Sequence, residues 1–147
     1  MKRFLICSAA LAASLLAGPA LAQNATLDTA AKEPGALVTA SGLVFRSLKD
    51  GAGAAPGAND TVKVHYKGTF PDGKEFDSSY SRGTPIEFPL NRVIPCWTEG
   101  VQRIKVGGKA KLTCPSSIAY GARGAGGVIP PNATLVFEVE LLGINGR

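Results

Sequence analysis

From Thr61 to Tyr66 apolar and polar side chains alternate, with Val62, Val64 and Tyr66 to one face and Lys63, His65 and Lys67 to the other. A period of two marks a strand with one buried face. The same pattern closes the chain between Thr134 and Ile144, where Leu135, Phe137, Val139 and Leu141 oppose Glu138 and Glu140. Lys109 to Cys114 places Ala110, Leu112 and Cys114 together on a third strand. Ser41 to Leu48 has strand character, and Glu75 to Ser79 follows a turn at Pro71-Asp72-Gly73-Lys74. Pro85 to Leu90 alternates like an edge strand, where prolines are tolerated. One stretch changes period. Trp97, Val101 and Ile104, following Pro95, predict a short helix with a single buried face. Ser81 to Thr84 reads as irregular, and Ser116 to Asn132 as a long loop broken by glycines and prolines. One amphipathic helix against an antiparallel twisted sheet predicts an α+β fold.

The first 22 residues stand outside this pattern. Met1-Lys2-Arg3 is a short positive region, Phe4 to Ala17 is apolar, and Ala20-Leu21-Ala22 is a small-x-small cleavage site. Residues 1–22 are therefore expected to be a signal peptide cut after Ala22, giving a periplasmic or secreted protein. No membrane association is expected after cleavage. Gln23 to Thr39 has no sustained period and reads as a flexible tether, so residues 40–147 would form the domain. Nothing in the tether predicts a helical dimerisation arm, and a monomer is expected.

Export changes the reading of the cysteines. With Cys7 removed, Cys96 and Cys114 remain, and in an oxidising compartment a disulfide is the natural reading, with two buried thiols as the alternative. Charge adds little. Removing Lys2 and Arg3 from 16 basic residues leaves 14 against 11 acidic ones, a net charge of +3 with both signs interspersed. This is not the basic stripe of a nucleic-acid binder.

Familiar catalytic equipment is absent from the sequence. There is no nucleophile elbow, phosphate-binding glycine loop or zinc motif. His65, the only histidine, lies on the outward face of its strand with no metal-ligating companion. Neither metal nor cofactor is expected.

Several motifs do fall into order. These are Val64-His65-Tyr66-x-Gly68, Asp72-Gly73-x-x-Phe76-Asp77-Ser78-Ser79 and Val93-Ile94-Pro95-x-Trp97-x-Glu99-Gly100, followed by Ala119-Tyr120-Gly121, Ile129-Pro130-Pro131 and Ala133-Thr134-Leu135-Val136-Phe137-x-Val139-x-Leu141. In order and approximate spacing they resemble the FKBP family of macrolide-binding peptidyl-prolyl cis/trans isomerases, over roughly Ser41 to Ile144. The resemblance implies a half-barrel, a twisted antiparallel sheet of five to six strands wrapped around one short helix, with a hydrophobic proline pocket between them. It assigns Tyr66, Phe76, Asp77, Trp97, Tyr120 and Phe137 to the catalytic pocket, Trp97 as its floor. Arg82, Ile86, Val93, Ile94, Val128 and Ile129 would bind substrate or macrolide, with Arg82 buttressing Asp77 and Tyr66 and the Ile94 N–H donating to a bound carbonyl.

The implied function is acceleration of X-Pro isomerisation during the folding of exported proteins. Proline-containing polypeptides are the implied substrates, and rapamycin-like macrolides the implied inhibitors. The alternative is a proline-segment binding module or holding chaperone whose isomerase activity is incidental. Four departures from the family pattern stand out. Cys96 replaces a usual glycine, the chain is two residues short between Leu90 and Val93 so that the ligand-binding backbone carbonyl there is either displaced or supplied by Arg92, Ile86 sits where an aromatic is common, and Ala125-Gly126-Gly127 replaces bulkier loop-tip residues.

Overall fold

The computed structural model describes residues 26–145; the expected signal peptide lies outside the described residues. Seven strands form one antiparallel sheet: β1 (Ala36–Val38), β2 (Val44–Lys49), β3 (Thr61–Thr69), β4 (Glu75–Ser78), β5 (Ile86–Pro89), β6 (Lys109–Cys114) and β7 (Leu135–Ile144). Their order is β1-β2-β6-β7-β3-β4, with β5 also on β3. The helices are α1 (residues 26–31), α2 (Ser79–Arg82) and α3 (Pro95–Val101).

The alternating patterns place the core. Val62, Val64 and Tyr66 of β3 and Leu135, Phe137, Val139 and Leu141 of β7 are all buried, and the polar residues between them are not. Pairing of Gly68 with Phe137, Tyr66 with Val139 and Val64 with Leu141 sets these apolar rows side by side. α3 supplies the matching surface. Pro95 stands at its first turn, where a missing N–H costs nothing. Cys96, Trp97 and Val101 are buried, and Ile104 follows just beyond the helix. Thr98 Oγ1 donates to the Leu90 carbonyl at 2.5 Å, tying α3 to the 3-10 turn Leu90–Arg92. A disulfide joins Cys96 to Cys114 with Cα atoms 5.9 Å apart, linking the start of α3 to the end of β6.

One edge of β3 is shared by two strands. Thr61 to Val64 pairs with β5, and Lys67 to Thr69 pairs with β4. Between them a side chain stands in for the missing strand: buried Ser79 Oγ accepts the Tyr66 N–H at 2.7 Å and donates to the Tyr66 carbonyl at 3.3 Å. This fixes the backbone of Tyr66 where a strand would otherwise be required.

Three expectations need correction. The sheet has seven strands rather than five to six, because β1 adds to β2. Residues 26–38 are not a flexible tether: α1 and β1 lie there, and Ala30 is buried. Glu33 pairs with Lys111 at 2.8 Å and with Arg46 at 3.0 Å, fastening this segment to β6 and β2. The segment after β4 is not irregular but the single turn α2. Ser78 caps it by accepting the Ser81 N–H, and Gly83 ends it in the left-handed region at φ 70°.

Candidate active site

The inner face of the sheet and α3 leave a hollow of about 290 Å³ between them, lined by Tyr66, Phe76, Asp77, Phe88, Arg92, Val93, Ile94, Trp97, Tyr120 and Phe137. Trp97 forms its base. Around the indole stand Tyr66, Phe88 and Phe137, with ring centroids 5.1, 5.4 and 5.5 Å away and planes within 10° of perpendicular. Phe76 meets Phe137 edge-on at 5.6 Å. Such edge-to-face pairs hold each ring's orientation as well as its position. Gly68 makes the wall possible. A Cβ there would come within 2.5 Å of Phe76 and 3.1 Å of Phe137, so only glycine lets both rings lie against β3.

The polar side of the hollow is a triad of mutually bonded side chains. The Tyr66 hydroxyl donates to Asp77 Oδ2, Arg82 Nη1 donates to Asp77 Oδ1 at 2.5 Å, and Arg82 Nη2 donates to the Tyr66 oxygen at 3.2 Å. The Ser78 N–H also donates to Asp77 Oδ1 at 2.9 Å. Burial alone would raise the Asp77 carboxyl, but the hydrogen bonds from Tyr66 and Arg82 and the Arg82 charge outweigh it. Asp77 therefore titrates below the ordinary 3.8 and is ionised at neutral pH. Burial, then the Asp77 hydrogen bond, raises the Tyr66 hydroxyl, and burial with the Asp77 charge raises that of Tyr120. Both remain protonated donors at neutral pH. Among the described residues Trp97 Nε1 is the buried side-chain polar atom with no partner, a free donor at the base. No group of three His, Cys, Asp or Glu side chains among the described residues is placed to hold a metal ion.

A group whose folded-state pKa is depressed stabilises at pH above its unfolded value, and that contribution is lost as pH falls through the folded value. The Asp77 wall is thus expected to persist from neutral pH down to about pH 4. An NMR titration of the Asp77 carboxyl should give a midpoint below 3.8, and Arg82→Gln should raise it. A native midpoint at or above the ordinary value would contradict this wall.

A second hollow of about 340 Å³ adjoins the first, sharing Phe76, Asp77 and Tyr120 and adding Ala125, Gly126, Val128 and Ile129. Ile129 is buried, whereas Val128 is 57% exposed and forms the rim. This loop is held by Gly124. At φ 65° its Cβ position would lie 2.1 Å from the Ile129 carbonyl oxygen, so no other residue fits.

The structure brings together ten of the twelve residues expected at the site. Two stand differently. Ile86 packs on the core opposite Val64 without lining either hollow. Its place is taken by Phe88, two residues on and opposite Val62, which reaches both Trp97 and Tyr66. Ile86 and Phe88 share a strand face, and sequence alternation alone does not choose between them. Arg82 lines neither hollow and acts on the site through Asp77 and Tyr66. Arg92, expected at most to offer its backbone carbonyl, lines the first hollow.

Comparison with known proteins agrees with this geometry. Residues 53–142 match the family model for FKBP-type peptidyl-prolyl cis-trans isomerase. Over 114 residues the chain is 56% identical to the FKBP-type peptidyl-prolyl cis-trans isomerase FkpA of Escherichia coli, covering 78% of this chain and 42% of that protein. It is 54% identical over 118 residues to the FKBP-type 22 kDa peptidyl-prolyl cis-trans isomerase of the same organism, covering 80% of this chain and 57% of that one. The crystal structure of Escherichia coli FkpA superposes with a TM-score of 0.83 at 50% identity, over 86% of this chain and 59% of that chain. A peptidyl-prolyl cis-trans isomerase from Pseudomonas syringae gives 0.78 at 41% identity, over 84% of this chain and 90% of that chain. This chain belongs to the FKBP-type peptidyl-prolyl cis-trans isomerase family. The sequence matches cover 42% of the full length of FkpA and 57% of that of the 22 kDa protein.

Proposed function

We propose that the protein is a peptidyl-prolyl cis/trans isomerase, exported to the periplasm or beyond, that accelerates X-Pro isomerisation in other exported proteins. The observation that carries this reading is the aromatic hollow over Trp97, bounded on one side by the Asp77–Tyr66–Arg82 triad. Its volume suits a proline ring with its flanking amides. The reaction requires no nucleophile. Rotation about a peptide bond is opposed by amide resonance, with a barrier of about 18–20 kcal/mol. Resonance makes the planar ground state more dipolar than the twisted transition state, so a dry aromatic site that strips water from the amide favours the twisted form. Phe76, Trp97 and Phe137 provide such surroundings.

Catalysis further requires contacts stronger in the transition state than in the ground state. The Ile94 N–H and the Tyr120 hydroxyl are the proposed donors to substrate carbonyls, and Asp77, anchored by Arg82, faces the twisting amide. Ile129 and Val128 close over the residue before the proline. A thousandfold acceleration needs only about 4 kcal/mol of such preference. Macrolides of the rapamycin type are expected to compete for the same hollow. The protein is proposed to act as a monomer, a reading that sedimentation of the purified protein checks, since a stable dimer would contradict it.

Tyr66→Phe and Asp77→Ala should each lower kcat/KM about tenfold or more while leaving the domain folded, because each removes one arm of the triad and keeps the rings around Trp97. Peptide isomerisation rates, with circular dichroism as the control, test this. Unchanged rates in both variants would defeat the assignment of the site.

A further inference from the structure

The charges around the first hollow are unevenly answered. Asp77 is bonded by Arg82, Tyr66 and the Ser78 N–H, so its charge is matched. Arg92, at the end of the 3-10 turn Leu90–Arg92, lines the same hollow and is exposed. Among the described residues it takes part in no ion pair. It is thus a lining cation without an ion-pair partner, in a hollow whose one carboxylate, Asp77, is already matched.

The two hollows give this charge a direction. The second hollow shares Phe76, Asp77 and Tyr120 with the first but includes neither Arg92 nor Ile94. The combined groove therefore runs from an apolar end at Val128 and Ile129 to a cationic end at Arg92. A proline over Trp97, with the amide before it beside Asp77, sends the preceding residue toward Val128 and the following residue toward Arg92. Guanidinium and carboxylate are matched in geometry as well as in sign.

We infer that Arg92 is a specificity-determining residue that favours substrates carrying Asp or Glu immediately after the proline. The inference rests on the isomerase reading proposed above. Because the pair forms at an exposed rim, its effect is modest and is screened by salt.

The test uses the full mature chain and two matched series of short peptides, one with Glu, Gln or Lys directly after the proline and one with the same residues directly before it. At low ionic strength kcat/KM in the first series should rank Glu over Gln by about threefold, and Glu over Lys by up to about tenfold. The second series should vary by less than about twofold, and about 1 M salt should level the first. Arg92→Gln should level the ranking, and Arg92→Glu should reverse it. A flat first series in the native protein, a preference confined to the second series, or an unchanged ranking in Arg92→Gln would each overturn the inference. Acceleration with flat ratios counts against Arg92 alone. No acceleration of any peptide counts against the isomerase reading itself.

Discussion

Phe137→Ala is expected to destabilise the domain by about 3–5 kcal/mol, the usual cost of truncating a buried phenylalanine. Phe137 lies in β7, the strand that pairs with both β3 and β6, and only 4% of its surface is exposed. Its ring meets Trp97 at 5.5 Å and Phe76 at 5.6 Å, both edge-on, and closes against Gly68. Glycine at position 68 has no side chain with which to fill the space left behind, so the site has little means of collapsing. Urea unfolding measures the loss. Phe137→Leu, which keeps most of the volume, should recover stability to within about 1.5 kcal/mol of the native protein. It should not recover full activity, because the edge-on contacts that orient Trp97 and Phe76 are lost with the ring. A loss below about 1 kcal/mol in Phe137→Ala would mean that the aromatic cluster does not hold the domain together.

Reducing the Cys96–Cys114 disulfide should cost about 3 kcal/mol, the entropy of closing a loop of this length in the unfolded chain. The two residues are 18 apart, and neither exposes any surface. A buried bridge should therefore resist reductant in the folded protein and yield only when the protein opens. Comparing unfolding midpoints with and without reductant measures its contribution. Intact mass adds a second check. Protein recovered from the exported fraction should weigh as a chain beginning at Gln23 and gain no alkyl groups under non-reducing denaturation. Two added groups would show free thiols, and a mass including residues 1–22 would contradict export with cleavage.

The parts of the fold legible from sequence are those in which burial imposes a period. β3, β6 and β7 each have one face on the core, so their alternation is forced, and α3 announces itself through Pro95 and the spacing of Trp97 and Val101. Residues 26–38 carry no such signature. They are placed by contacts distant in sequence, Glu33 with Lys111 and Arg46 and Ala36–Val38 with β2, which no local pattern encodes. α2 is too short to show a face, and its one buried residue, Ser79, serves the backbone of Tyr66. Within the site, family motifs lead to Tyr66, Asp77, Trp97 and Phe137 because each lies within a distinctive run. Phe88 is missed because its role depends on how far along β3 the edge strand sits, a matter of register. Arg92 is legible only through its backbone, as a carbonyl beside the shortened stretch; its charge at the hollow is not, because nothing local shows that the turn Leu90–Arg92 borders the site.

Isomerase activity is read most simply from the cis/trans relaxation of a short X-Pro peptide, followed with and without the mature protein and again with rapamycin added. Uncatalysed relaxation takes tens to hundreds of seconds. Acceleration that rapamycin abolishes is expected, which would locate the activity in the hollow over Trp97. A folded sample that leaves the relaxation unchanged would contradict the proposed activity.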